Sequence, residues 1–237
     1  MGKSFFIWND IDCRSMGVSL AGPVPIVRPE ERVKHVEIPG RSGDLTQTEG
    51  DDIYNSYIQT ATIQVKGGYR VRDIYKWLRG ASYVTFSGEP DRKQPARIIG
   101  AITLDKVSHN LDIWTGEVQF YCQPLKEKLY SETVEITSSG STVVNSGDVI
   151  SKPLFRVTAS SSSIMISTGK DTIIVTGLTS GSKYIIDSDS MEVLSNDGTT
   201  LLTKNATGTF PVLLPGENTI TGSGWSKIVI TRRERFL

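Results

Sequence analysis

Only one stretch of this 237-residue chain carries the spacing of an amphipathic helix; elsewhere the apolar residues come in short runs separated by Gly, Ser, Thr and Asn. That pattern restricts the fold to mainly β architectures. The helical stripe is Val71, Ile74, Tyr75 and Leu78, at i, i+3, i+4 and i+7, with Gly80 placed to stop it and Arg72, Asp73, Lys76 and Arg79 on the opposite face. A helix of this kind lies on a flat apolar surface, which a sheet supplies.

The sheet is legible on both sides of it. Before the helix, Tyr57, Ala61, Ile63 and Val65 share one side of an alternating run and Ile58, Thr60, Thr62 and Gln64 the other, until Gly67-Gly68 ends it. After it, 83–86, 97–104 and 111–122 are rich in aromatic and β-branched residues and read as strands. In the last of these, Trp114, Val118, Phe120 and Cys122 have one parity and Leu111 and Ile113 the other, which predicts a bulge or bend near Thr115-Gly116.

From Ser131 onward the runs recur in a sandwich rhythm: 134–136, 153–157, 164–166, 173–175, 184–186, 191–194, 201–202, 210–214 and 228–230. Asn196-Asp197-Gly198 is a hairpin turn signal, and 160–163 reads as a loop because strand-like runs flank it closely. The reading is therefore two domains, 1–130 with β-rich structure and one short α-helix, and 131–237 as an antiparallel β-sandwich.

The segment 39–52 fits neither core. It contains three glycines and two adjacent aspartates, and Leu45 is its only apolar side chain. Two readings stand for it: a solvated hairpin tip, or an arm that orders against a neighbouring subunit, in which Gly40, Arg41, Ser42, Gly43, Asp44 and Leu45 would make the contact.

Charge narrows function. With 26 Lys plus Arg against 26 Asp plus Glu, the chain lacks the basic excess that displaces counterions from phosphates, so no sequence-specific nucleic-acid role is expected. Two cysteines, Cys13 and Cys122, are too few for a disulfide scaffold and read as reduced thiols. Without a signal-peptide core or a membrane-length apolar stretch, synthesis and folding in a cytoplasm are expected, and the Asn205 sequon has no consequence there.

Catalytic constellations fail on inventory. His35 and His109 are the only histidines, and no nucleophile elbow accompanies them; Gly40-Arg41-Ser42-Gly43 has the wrong spacing. No phosphate-binding glycine motif is present, and Gly222-Ser223-Gly224-Trp225 lacks a strand-to-helix context. The run from Asp187 to Glu192 begins like a calcium loop, but Met191 stands where an oxygen ligand belongs. No catalytic residue, metal or cofactor is expected. Arg232-Arg233-Glu234-Arg235 reads as a charged cap on a last strand, and Trp225 as a turn anchor rather than a sugar platform.

Several separated motifs are similar to those of the distal tail proteins of long non-contractile-tailed bacteriophages and prophages. In the first half they are Ile38-Pro39-Gly40-Arg41-Ser42-Gly43-Asp44-Leu45, Ile74-Tyr75-Lys76-Trp77-Leu78-Arg79-Gly80, Tyr83-Val84-Thr85-Phe86-Ser87 and Ala96-Arg97-Ile98. In the second they are Val144-Asn145-Ser146-Gly147-Asp148, Ser151-Lys152-Pro153, Tyr184-Ile185-Ile186-Asp187, the run from Phe210 to Asn218, and Ile228-Val229-Ile230 with its basic tail. Their order and spacing carry the resemblance across nearly the whole chain.

The resemblance implies that 1–130 is a belt domain closing into a ring, usually of six subunits, and that 131–237 is a galectin-like β-sandwich. It implies a hub at the virion tail tip between the tail tube protein and the tail-associated adhesin or lysin. A ring needs two different patches on each subunit, which long strands and a polar arm could supply. The alternative function is recognition of a host cell-wall polysaccharide by the C-terminal sandwich, with Trp225 and Tyr184 as candidate sugar contacts.

Overall fold

The computed structural model describes residues 4–48, 50, 52–108 and 110–237. The chain divides into two compact units, Met1–Leu129 together with Leu237, and Tyr130–Phe236. Each has its own apolar core.

In chain order the first unit contains β1 (Phe6–Trp8), β2 (Ile11–Asp12), β3 (Val18–Leu20), β4 (Val33–Val36), β5 (Leu45–Thr48), β6 (Tyr57–Lys66), α1 (Val71–Trp77), β7 (Ala81–Phe86), β8 (Arg92–Ile99), β9 (Leu104–Ser108), β10 (Leu111–Cys122) and β11 (Lys126–Lys128). Its main sheet runs β2-β1-β7-β8-β10-β6-β3, with β9 also paired to β10 and β11 to β8. The spine is the long antiparallel pair of β6 and β10, in register from Tyr57↔Cys122 to Lys66↔Ile113. Alternation along β6 buries Ala61, Ile63 and Val65, as the parity of the sequence predicts, while Val118, Phe120 and Cys122 of β10 face the same core.

The helix forms where the stripe predicts, but its buried face is Ile74, Trp77 and Leu78, and Tyr75 is 41% exposed. The indole decides this rotation. Trp77 stacks on Phe6 with centroids 5.6 Å apart and planes 6° from parallel. Its Nε1 donates to the carbonyl of Trp8 at 3.1 Å, so a large ring is buried with its one polar group satisfied. Gly80, at φ 76°, follows the helix end.

Two strand expectations are corrected. The run 97–104 is two strands, because Gly100 at φ 71° turns the chain between β8 and β9. The irregularity in β10 lies between Leu111 and Trp114, on its β9 side, whereas pairing with β6 continues unbroken through Thr115 and Gly116. Gly116 serves a different purpose: a Cβ there would lie 2.0 Å from the carbonyl oxygen of Thr103. The neighbouring backbone approaches where no side chain fits.

The second unit contains β12 (Thr133–Ile136), β13 (Ser141–Asn145), β14 (Leu154–Ala159), β15 (Ser163–Ser167), β16 (Thr172–Thr176), β17 (Lys183–Asp187), β18 (Glu192–Ser195), β19 (Ala206–Gly208), β20 (Gly216–Ser223), β21 (Trp225–Thr231) and β22 (Arg235–Phe236). Two antiparallel sheets, β12-β21-β14-β17-β18 and β13-β20-β15-β16-β19, enclose one core. Phe155, Val157, Ile186, Ile228 and Ile230 come from the first, and Ile164, Ile166, Ile173, Val175 and Ile220 from the second. The predicted hairpin turn at 196–198 is present: Gly198, at φ 72°, donates its N–H to the Ser195 carbonyl at 2.9 Å.

Here too the runs and the strands differ. The run 210–214 is not a strand but an irregular segment tied to the sandwich by the Ser151↔Leu213 bridge, since Pro211 and Pro215 withhold ladder donors. The run 201–202 makes one bridge, Leu194↔Leu201, before a 3₁₀ turn at Thr203–Asn205. Conversely, β13, β19 and β20 are strands that the apolar runs do not announce. In β20 a single aliphatic side chain, Ile220, enters the core, and Asn218 is the other buried residue. Among the described residues no helix is long and apolar enough to cross a membrane.

Candidate subunit interface

The described residues of the segment 39–52 belong to the distal part of a β-hairpin arm. β4 and β5 pair antiparallel, Val33↔Thr48 through Val36↔Leu45, as a two-stranded sheet of their own. The ribbon continues below them: Arg32 N donates to Ile53 O at 2.8 Å, Asn55 N donates to Glu30 O at 2.8 Å, and Glu31 bridges Tyr54. Arg32 Nε adds a bond to Asn55 Oδ1 at 3.1 Å. Sequence reasoning did not find this root; its only mark in the sequence is the end of the proline-rich stretch at Pro29.

The tip has turn chemistry. Arg41 N donates to Ile38 O at 3.1 Å, enclosing Pro39 and Gly40, and Gly40 has φ 82°. Proline second and a left-handed glycine third is the composition of a type II turn. Gly43, at φ 79°, turns the chain back into β5. Every residue from 37 to 48 is exposed, including Ile38 and Leu45 at 39% and 45%, and neither belongs to the core cluster of its unit. A two-stranded ribbon without a covered face is marginal in water.

The other singled-out residues serve the structure itself. His35 lies exposed in β4, its Nδ1 3.4 Å from Thr46 Oγ1; His109 lies outside the described residues. The Asp187 carboxylate takes both Nη atoms of Arg233, at 2.6 and 2.9 Å, and Asp189 pairs with Arg235 at 2.9 Å and Lys152 at 3.7 Å. Partial burial pushes the Asp187 carboxyl upward, but the Arg233 fork and the N–H groups of Asp189 and Ser190 outweigh it and hold it below the ordinary carboxylate range. Arg232 bonds Glu132, reaches Glu234 at 3.2 Å and donates to Val144 O at 2.8 Å. The basic run is thus a clasp of ion pairs within the sandwich. Among the described residues no group of three or more His, Cys, Asp or Glu is arranged to hold a metal ion.

The candidate sugar contacts are placed inside. Trp225 is 9% exposed with Nε1 donating to Met165 O at 3.2 Å; Tyr184 is 8% exposed with its hydroxyl accepting from Thr179 N at 2.8 Å. Both rings fill the sandwich core, where their apolar bodies gain most, so neither offers a face for stacking.

No known family profile matches the chain, and no curated protein matches it. Among solved structures, the Dit protein of phage SPP1, described as a hub adsorption apparatus in phages infecting Gram-positive bacteria, matches with a TM-score of 0.81 at 18% identity over 100% of both chains. The chain has the Dit fold. The baseplate of phage p2, solved in an activated conformation with Sr, also aligns, with a TM-score of 0.46 and 8% identity over 97% of this chain and 98% of that one. The Dit fold at full length includes both units of the chain, with the arm as part of the first.

Proposed function

We propose that the protein is a structural component of a bacteriophage or prophage tail tip, a distal tail hub built from several copies of this chain. The observation that carries the reading is the match to SPP1 Dit along the entire length of both chains. A fold accommodates many functions, so the residues must agree with it. They do: the polar groups singled out as chemical candidates are spent on turns and ion pairs, and the arm is an element in want of a partner.

In this reading the unit through Leu129 is a ring-forming belt, the arm residues Gly40 to Leu45 touch the adjacent subunit, and the unit from Tyr130 is a galectin-like sandwich. Six copies would close the ring, with the tail tube protein on one side and the adhesin or lysin on the other. The virion tail tip would be its location after assembly in a bacterial cytoplasm, and the protein would not be an enzyme.

Light scattering on the purified chain tests this. A discrete closed oligomer is expected, with a ring in negative-stain images. Replacing 37–44 by a tight Asn-Gly turn should shift the population to monomer while leaving the circular dichroism spectrum intact. A chain that stays monomeric at high concentration, or is located away from the tail in virions, would sink the reading.

A further inference from the structure

The outward face of the first unit's sheet carries an apolar row that the alternation of the strands makes unavoidable. Ile58 of β6 pairs with Tyr121 of β10, Tyr121 with Arg97 of β8, and Arg97 with Ala81 of β7. These residues have the parity opposite to the core, so they stand side by side on the outer surface. Ile58 is 54% exposed, and Tyr121 and Tyr83 are 40% each. Tyr83, Pro95, Arg97 and Tyr121 line a groove of about 450 Å³. Lys93 Nζ lies 4.6 Å from the Tyr83 ring centroid.

Arg97 is the polar anchor of this groove. It is exposed, and its guanidinium has no hydrogen-bond or ion-pair partner among the described residues. The arm offers the complement: Leu45 is an exposed aliphatic side chain, and Asp44 beside it is an exposed carboxylate, likewise without a partner among the described residues. Donor and acceptor patches thus match in order, an aliphatic group beside an acid against an aromatic–aliphatic row beside a guanidinium. They are different surfaces of one chain, the requirement for a head-to-tail contact that can close.

We propose that the groove lined by Tyr83, Arg97 and Tyr121, with Ile58 beside Tyr121 on the same face, receives the arm tip of a second copy of this chain, with Leu45 on Ile58 and Tyr121 and Asp44 on Arg97. This assignment rests on the reading of the arm as a subunit contact and names its receptor. Burying Leu45 covers both the arm and the row, and the ion pair fixes the register in which it does so.

Mixing two single variants tests it. Leu45→Cys and Ile58→Cys chains, combined under mild oxidation, should give a disulfide-linked dimer that neither variant forms alone. The native thiols do not compete: Cys13 and Cys122 are buried within the core. In parallel, Arg97→Glu should shift the oligomer's concentration midpoint at least tenfold upward, and adding Asp44→Arg on the same chain should recover most of that shift. Circular dichroism on each variant verifies folding.

The failures separate. If the unmodified chain forms its oligomer but the mixed variants do not cross-link and Arg97→Glu leaves the midpoint unchanged, the groove is the wrong receptor and the hub reading survives. If the unmodified chain is monomeric throughout, both fall. Cross-linking within a doubly substituted chain but not between the two single variants would make the groove the seat of a chain's own arm and overturn the assignment to a second copy.

Discussion

Phe120 stands where three rings of the first core meet. Its centroid lies 5.4 Å from Phe6, 5.6 Å from Trp8 and 5.5 Å from Phe86, two of the contacts edge-on. Phe120→Ala removes those contacts and leaves a void that rigid strands do not collapse into, so it should cost about 3–5 kcal/mol in a guanidinium titration. Asp187 gives a second outcome with a sign. Its folded carboxyl titrates below its ordinary value, so its contribution is fully present above the unfolded pKa and is lost as pH falls through the folded one. Asp187→Asn should therefore flatten the acid side of the stability curve while lowering stability near neutrality, measured by thermal melts across pH 2–7. The Cys122 thiol, pushed up to about 12 by burial, should ignore an aromatic disulfide reagent at pH 8 until the protein is unfolded. Phe120 and Cys122 were legible from parity alone. Trp77 was not, because what draws it inward is the carbonyl of Trp8, a partner far away in sequence.

At the scale of elements, what the sequence disclosed depends on how much apolar surface each element buries. β6 announces itself because three of its side chains enter the core in strict alternation. β20 does not, since it buries only one apolar side chain, Ile220, and its neighbours, not its composition, hold it in the sheet. Gly116 shows the same dependence. It reads as a bend in the sequence, and only the approach of Thr103 reveals a strand position closed to side chains. Gly116→Ala should destabilise the first unit by about 1–3 kcal/mol, seen as a lower Tm, by forcing β10 away from the segment entering β9. The arm was legible as an element foreign to the core. Its hairpin register was not, because β5 holds one apolar residue in four and gives no periodicity to count.

For the whole molecule, two separate cores predict two separable stabilities. The segment 130–236 holds a closed apolar cluster between two five-stranded sheets and should fold when expressed alone, with a single cooperative melt and dispersed amide resonances. Precipitation or a melt without cooperativity would contradict that. The division in composition near Tyr130 was visible in the sequence as a change from one helical stripe to short, evenly spaced runs. One feature of the arm reaches further. Its two ends, Glu30 and Asn55, are joined by a single backbone hydrogen bond, so everything between them is a detour that leaves and re-enters the scaffold at the same point. Evolution can lengthen, shorten or replace such a detour without redesigning the sheet beneath it, and an engineer can splice a foreign peptide there with the same freedom.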